Sequence, residues 1–202
     1  MTAEAATRNT EAPSSLPHWA FPPPQGYVAE DLDHIPGLPA HTQLIDGSLV
    51  FARPQQRFHH DVIFGLHRAL ADAAPDPLQV CQEMTVKLAP MQRPEPDLIV
   101  LGPEAPSDEG VSCYQAEDVI LAVEVVSPDS VVRDRKRKPT LYAEAGIPHF
   151  WRIEEAGGRP VVYVYEIDPA TGVYVGTGIH HDRLKLTLPF DLDIDLTTLY
   201  TA

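Results

Sequence analysis

The stretch LAVEVVSPDS, Leu121–Ser130, places a single carboxylate, Glu124, in an apolar run that is rich in valine. Such runs are typical of strands that are covered on both faces of a sheet. An ionised carboxylate in a covered strand is unfavourable unless another group pairs with it. Glu124 is therefore expected either to have a structural partner or to hold a ligand.

The composition of the chain limits the class of protein. Its 202 residues, 44% of them hydrophobic, suit one folded domain with a tail. The net charge of −14 argues against a simple nucleic-acid-binding protein, because phosphate backbones attract Lys and Arg. The basic residues are unevenly distributed, and five of the 15 follow the Glu124 strand closely: Arg133, Arg135, Lys136, Arg137 and Lys138. A charge run of this kind most often forms a solvated surface.

Two observations predict a cytoplasmic location. No apolar run approaches the roughly 20 residues of a membrane span, and the N-terminus lacks the basic and apolar regions of a signal peptide. The two cysteines, Cys81 and Cys113, are too few for a disulfide framework and lack the spacing of a zinc knuckle. We therefore expect a reduced protein that does not contact a membrane.

The chain divides into an arm and a domain. Residues 1–30 are rich in proline, alanine and serine and predict a flexible arm, so that the folded domain covers residues 31–202. In the domain, Asp46-Gly47 predicts a hairpin turn, and apolar residues at helical spacing predict an amphipathic helix over Phe58–Ala74. Strand-like segments follow, interrupted by a short helix that begins near Pro139 and ends at Gly146. The pattern predicts an α/β (α+β) domain with a mixed sheet.

A second carboxylate stands in a position that suits metal binding. Asp97 follows Pro96 at the start of a predicted strand, and Glu124 lies on the next long one. Carboxylates on neighbouring strands can converge on a hard cation such as Mg²⁺, which activates water for attack on a phosphate. A lysine on the same face as Glu124 would stand two residues further on, but that residue is Val126. The nearest lysines are Lys136 and Lys138.

Four segments together resemble one family. PEPDLIV, LAVEVVSPDS, RDRKRK and LYAEAGIPHFW are similar to the motifs of the Uma2 family, restriction-endonuclease-like proteins of the PD-(D/E)xK nuclease superfamily. The resemblance covers roughly Gln43 to the C-terminus. It implies a restriction-endonuclease-like fold, in which helices flank a mixed β-sheet.

The resemblance also implies a site. Asp97 would match the aspartate of the PD motif, Glu124 the acidic residue of the next strand, and Lys138 a lysine relocated to the following helix. Asp97 and Glu124 would then be the ligands of Mg²⁺ or Mn²⁺, and DNA would be the substrate. At Gln43 and at Ser48, where the family often has glutamates, this chain offers no third carboxylate. Pro139 would place Lys138 at the entrance of its helix, because proline is excluded from helix interiors.

Several other residues have more ordinary interpretations. Adjacent histidines on a helix point in different directions, so surface or capping roles are favoured over zinc binding for the pairs His59-His60 and His180-His181. Tyr142, Phe150 and Trp151 are interpreted as core aromatics. The apolar segment LKLTLPFDLDIDL near the C-terminus is a candidate sheet edge or interface for the homodimer that the resemblance implies.

Two classes of function remain open. The first is a Mg²⁺-dependent DNA endonuclease, in which Asp97 and Glu124 bind the metal and Lys138 positions water or stabilises charge. The second is a non-catalytic nuclease-like module that binds nucleic acid or a protein partner. The acidic net charge favours the module, whereas the presence of all three active-site residue types favours the enzyme.

Overall fold

A six-stranded mixed sheet forms the centre of the protein, with strand order β10-β9-β8-β7-β5-β3. The computed structural model describes residues 16–200. Its strands, in chain order, are β1 (Thr42–Ile45), β2 (Ser48–Phe51), β3 (Gln79–Gln82), β4 (Thr85–Lys87), β5 (Leu98–Leu101), β6 (Cys113–Gln115), β7 (Val119–Val125), β8 (His149–Ala156), β9 (Arg159–Ile167), β10 (Tyr174–His180), β11 (Arg183–Leu186) and β12 (Leu192–Asp195). Its α-helices are α1 (Asp31–His34), α2 (Arg57–Ala73) and α3 (Lys138–Glu144).

The pairing within the sheet confirms the predicted mixed α+β fold. Strands β7 and β8 run parallel, and the remaining neighbours in the central sheet are antiparallel. A parallel pair needs a crossover connection, and here the crossover contains α3. The valine-rich strand β7 lies in the middle of the sheet and is almost entirely buried, as its sequence predicts.

The alternation of side chains along β7 decides which face of the sheet Glu124 occupies. Leu121, Val123 and Val125 belong to the hydrophobic core that includes the buried face of α2. Ala122 belongs to the second core, on the side of α3. Because alternate residues of a strand share one face, Glu124 points to the α3 side of the sheet.

Two hairpins lie outside this sheet, each as a separate two-stranded pair. In the first, β1 pairs with β2, and Asp46 and Gly47 both have positive φ (52° and 70°), which confirms the predicted Asp-Gly turn. In the second, β11 pairs with β12 near the C-terminus. Its apolar side chains are buried in the same core as α2, at Leu184, Leu192 and Ile194. They fill the core of their own chain, and the use of this segment as a sheet edge or interface stays a prediction.

The helix after β7 begins earlier than the sequence predicts. A π-helical turn, Arg133–Arg137, leads directly into α3, of which Lys138 is the first residue. The wider π turn accommodates Pro139, which has no N–H to donate to a regular α-helical bond. Lys138 therefore lies at the junction of two helical segments, and Gly146 (φ 81°) follows the helix as predicted.

The N-terminal segment is partly described. Residues 1–15 of the predicted arm lie outside the described residues. In the rest of the arm, Tyr27 and Ala29 are buried against Leu44 of β1, so the packed domain includes residues before 31. Within residues 16–200, none of the helices is long and apolar enough to cross a membrane.

Candidate active site

Asp97 and Glu124, the two predicted metal ligands, lie next to each other at the same end of neighbouring strands. Asp97 directly precedes β5, and Glu124 is the penultimate residue of β7. The backbone N–H of Val125 donates a hydrogen bond of 2.6 Å to Asp97 Oδ2, which holds this carboxylate beside the end of β7. Both residues line one small cavity with a volume of about 30 Å³.

Lys138 is the lysine that reaches this cavity. Its Nζ donates to Glu124 Oε2 at 2.7 Å and lies 3.6 Å from Asp134 Oδ1. The side chain is almost completely buried, because α3 packs on the face of the sheet to which Glu124 points. Of the two lysines that the sequence left open, Lys136 does not line this cavity.

Tyr142 has a polar role that the sequence analysis missed. It is a fully buried core aromatic, as predicted, but its hydroxyl also donates to Glu124 Oε1 at 2.5 Å. Lys138 and Tyr142 are separated by four residues on a helix and therefore share a face. That spacing is the signal by which the contact could have been found. Together the two side chains occupy both oxygens of Glu124.

A third carboxylate comes from Asp134, which the sequence analysis did not single out. Asp134 lies in the basic run, yet it is 1% exposed and precedes Lys138 by four residues. Its Oδ1 is buried without a hydrogen-bond partner in the described part of the chain. The run is therefore divided: Arg135 and Lys136 are exposed, whereas Asp134 and Lys138 are buried.

His59 contradicts its predicted surface or capping role. It is 5% exposed, and its Nε2 lies 3.3 Å from Asp97 Oδ1. The first turn of α2 lies over the start of β5, so one histidine of the pair faces Asp97 while its neighbour His60 is exposed. Burial lowers the pKa of His59, but the carboxylates of Asp97, Asp134 and Glu83 together raise it more, so the net shift is upward.

The electrostatics of the cavity combine several acids with one ammonium. Burial raises the pKa of Glu124 well above its ordinary value, and the charge of Lys138 offsets this only in part. Burial likewise raises the pKa of Asp134. For Lys138, burial lowers the pKa, but the surrounding carboxylates raise it more, so the ammonium stays charged. The three carboxyl groups of Asp97, Glu124 and Asp134 therefore outnumber the single ammonium, that of Lys138.

The residues around the cavity fit a single hard cation. The cavity volume of about 30 Å³ is close to the share of one molecule in liquid water. Besides the carboxylates, the amide oxygen of the buried Gln43 faces this cavity region without a hydrogen-bond partner among the described residues. No three His, Cys, Asp or Glu side chains in residues 16–200 group closely enough to enclose a metal ion. Mg²⁺ does not require such a cage, since proteins usually bind it through one or two carboxylates and water.

Comparisons with known proteins agree with this architecture. The model of the Uma2 family, described as "Putative restriction endonuclease", matches residues 29–198. The fold is similar to a solved structure described as a "putative nuclease belonging to DUF820" from Anabaena variabilis, with a TM-score of 0.63 and 16% sequence identity. The likeness covers 83% of this chain and 96% of that chain. A search of curated proteins gives no significant match.

Proposed function

Because the chain belongs to the Uma2 family, we propose that it is a Mg²⁺-dependent endonuclease that hydrolyses phosphodiester bonds in DNA. The observation that carries this proposal is the convergence of Asp97, Glu124 and Lys138 on one small cavity. Two acids at the ends of neighbouring strands, with a lysine beside them, are groups that can bind a hard cation and stabilise a phosphate under attack.

Each residue has a role in this proposal. Asp97 and Glu124 hold Mg²⁺ or Mn²⁺, which would supply a more acidic bound water and neutralise charge on the phosphate. Lys138 offsets the negative charge that develops during hydrolysis. His59, in contact with Asp97 Oδ1, orients that carboxylate, as groups behind a metal ligand commonly do.

An open groove next to the cavity offers a route for an incoming phosphate. Gln55 and Asp129 line both the cavity and an open groove of about 390 Å³. Arg53 lines the same groove, and Arg133 lines the cavity. These local cations attract a DNA phosphate to the opening, although the net charge of the whole chain is negative.

A homodimer and a cytoplasmic location remain part of the proposal. The homodimer rests on the resemblance to dimeric nucleases, and the location rests on Cys81 and Cys113, both free thiols. Light scattering at micromolar concentration tests the assembly, and a strictly monomeric mass would count against it.

Substitution of Glu124 tests the metal site. Calorimetric titration of Mn²⁺ into wild type and Glu124→Gln should show at least about a tenfold loss of affinity, which corresponds to about 1.4 kcal/mol. Mg²⁺-dependent nicking of supercoiled plasmid should be lost in the same variant. Metal-free stability should change little, because glutamine keeps the volume and Lys138 keeps Asp134 at 3.6 Å.

The exposed substitution Glu117→Gln is the matched control and should leave all three measurements unchanged. Equal Mn²⁺ affinity of wild type and Glu124→Gln would contradict the metal-site proposal. A loss of several kcal/mol in metal-free stability without a change in Mn²⁺ affinity would assign Glu124 to a structural ion pair alone.

One observation favours the non-catalytic module as a second candidate. Lys138 and Tyr142 occupy both Glu124 oxygens, so the pair is satisfied without any ligand. Under this alternative, the protein would bind DNA in a gel-shift assay but leave plasmid intact with either Mg²⁺ or Mn²⁺.

A further inference from the structure

A second cavity, which we call the α3–β10 cavity, lies on the same side of the sheet as α3. It has a volume of about 310 Å³ and is bounded by the π-helical turn and α3 on one side and by β8, β9 and β10 on the other. None of its lining residues lines the cavity of Asp97 and Glu124. The proposed endonuclease function therefore leaves it without a role.

The α3–β10 cavity is lined by three cations. Arg135 and Lys136 come from the π-helical turn and Arg152 from β8. Arg135 donates to Glu154, and Arg152 Nε lies 2.8 Å from the same carboxylate, so one acid serves two guanidinium groups. Among the residues that the structure describes, no carboxylate forms an ion pair with Lys136. In a chain with a net charge of −14, this is a local concentration of positive charge.

Arg152 is held in place before any ligand arrives. Its side chain is 15% exposed, and its guanidinium carbon lies 4.6 Å from the ring centroid of Tyr163 and 5.5 Å from that of Tyr165. Its Nε is close to Glu154 but makes no hydrogen bond with any residue in the described range, since the acceptor lies off the N–H direction. A guanidinium fixed by aromatic rings is preorganised to bind a phosphate through its terminal N–H groups, since its Nε is buried.

The sheet side of the cavity, which also carries Arg152, is largely aromatic. Tyr165 and Tyr174 line it, and both rings pack against Phe150 at centroid distances of 5.6 Å. The Tyr174 hydroxyl donates to the Ile147 carbonyl at 2.7 Å, which fixes this ring. Rigid aromatic side chains beside the fixed guanidinium of Arg152 match a ligand that combines a planar ring with a phosphate.

We propose that the α3–β10 cavity binds a free nucleotide, with its phosphate against Arg152 and Lys136 and its base or sugar against Tyr165. The volume is at the lower end of the range of small-molecule sites, which suits one nucleotide unit and not a longer strand. Glu144 is the one carboxylate lining the cavity in the described chain, and the Thr140 hydroxyl, which donates to the Lys136 carbonyl at 2.9 Å, can accept a hydrogen bond from the sugar. This site is independent of the proposed cleavage reaction.

Calorimetric titration of the full chain with AMP, with dTMP and with inorganic phosphate tests this proposal. Both nucleotides should bind more tightly than phosphate, because only they use the aromatic side chains. Arg152→Gln and Lys136→Gln should each weaken AMP binding at least tenfold. The exposed cations Arg159 and Lys185 supply the matched controls, Arg159→Gln and Lys185→Gln, which should bind AMP as wild type does.

The variants Arg152→Gln and Lys136→Gln differ in their risk of disturbing the fold. Arg152 is largely buried, so its replacement can disturb folding, whereas Lys136 is exposed and its replacement leaves the core intact. Equal AMP affinity in wild type and Lys136→Gln would overturn the proposal, as would the absence of nucleotide binding at millimolar concentration.

Two further titrations separate this site from strand binding and from catalysis. A single-stranded 12-mer that binds with the same dependence on Arg152 and Lys136, while AMP does not bind, would overturn the free-nucleotide proposal in favour of a nucleic-acid groove. Asp97→Asn should bind AMP as wild type does. Loss of AMP binding in Asp97→Asn would instead assign the nucleotide to the active-site cavity and overturn the proposal.

Discussion

Glu124 is tolerated in a buried strand because both of its oxygens have donors. Lys138 supplies one hydrogen bond and Tyr142 the other, so the cost of removing the carboxylate from water is offset in part. Of the two explanations that its sequence context allows, the structural partner is therefore present. Ligand binding is the additional role that we propose for the same side chain.

The burial of Lys138 leads to a stability prediction. Lys138→Met removes the cation next to Glu124 and Asp134 and leaves two buried acids without it. We expect a loss of about 3 kcal/mol in the free energy of unfolding, because breaking a buried ion pair leaves the remaining charge uncompensated. Urea denaturation at neutral pH measures this loss.

Lys136→Met is the matched control for that experiment. Lys136 is exposed and should tolerate the change within about 0.5 kcal/mol. If both methionine variants unfold at the same urea concentration as wild type, the contacts of Lys138 do not contribute to stability.

At the scale of elements, the close approach between α2 and the C-terminal segment depends on Gly65. A Cβ atom at this position would lie 3.0 Å from Leu199 Cδ2 and 3.2 Å from Leu199 Cα. The nearby Cα belongs to the backbone, which cannot rotate away as a side chain can. Gly65 therefore lets the end of the chain pack directly on the helix.

Gly65→Ala is expected to destabilise the protein despite the better helix propensity of alanine. The propensity gain is about 1 kcal/mol, but displacement of the Leu199 backbone should exceed it, giving a net loss of about 1 kcal/mol. Arg68→Ala, an exposed position on the same helix, is the control and should be nearly neutral. Thermal unfolding compares the variants, and a higher melting temperature for Gly65→Ala would contradict the expected clash.

The sequence predicts the elements better than the contacts between them. Hydrophobic spacing locates α2 to within one residue of its observed ends, and Asp46-Gly47 locates the first hairpin. The π-helical turn has no comparable local signal, because it depends on how the chain closes over Glu124. Asp134 was missed for the same reason: in a run of cations an acid resembles a surface residue, and only tertiary packing turns it inward.

The histidine pair on α2 gives a second example. Sequence alone establishes that His59 and His60 point in different directions, but not which of them faces the sheet. That choice follows from the position of α2 over the start of β5, which is a tertiary contact. The contact of Tyr142 with Glu124, in contrast, was accessible from its spacing of four residues from Lys138.

At the scale of the whole molecule, the N-terminal segment contacts the first hairpin. Trp19 Nε1 donates to the Gly37 carbonyl at 3.1 Å, and its ring lies 5.1 Å from that of Phe51. The hydroxyl of the buried Tyr27 donates to the Trp19 carbonyl at 2.9 Å. Trp19 lies within residues 1–25, which the proline-rich composition of the predicted arm would make dispensable for folding.

Two truncations divide this region. Removal of residues 1–15, a stretch without Leu, Ile, Val or aromatic residues, should leave the free energy of unfolding within about 0.5 kcal/mol of wild type. Removal of residues 1–25 should cost about 1–2 kcal/mol more, since it takes away the Trp19 ring. Urea denaturation of both truncated chains tests this, and equal stability of the two would show that the Trp19 contacts contribute nothing.

The crossover between the parallel strands β7 and β8 carries Asp134, Lys138 and Tyr142, whereas Glu124 is on β7 itself. The polar cluster therefore cannot assemble from neighbouring residues during early collapse. It forms when the crossover closes over β7, the same step that brings β8 back to pair with β7 in parallel. The site and the central sheet are therefore completed in the same folding step. A substitution that only loosens the crossover would displace Asp134, Lys138 and Tyr142 while leaving Asp97 and Glu124 in place.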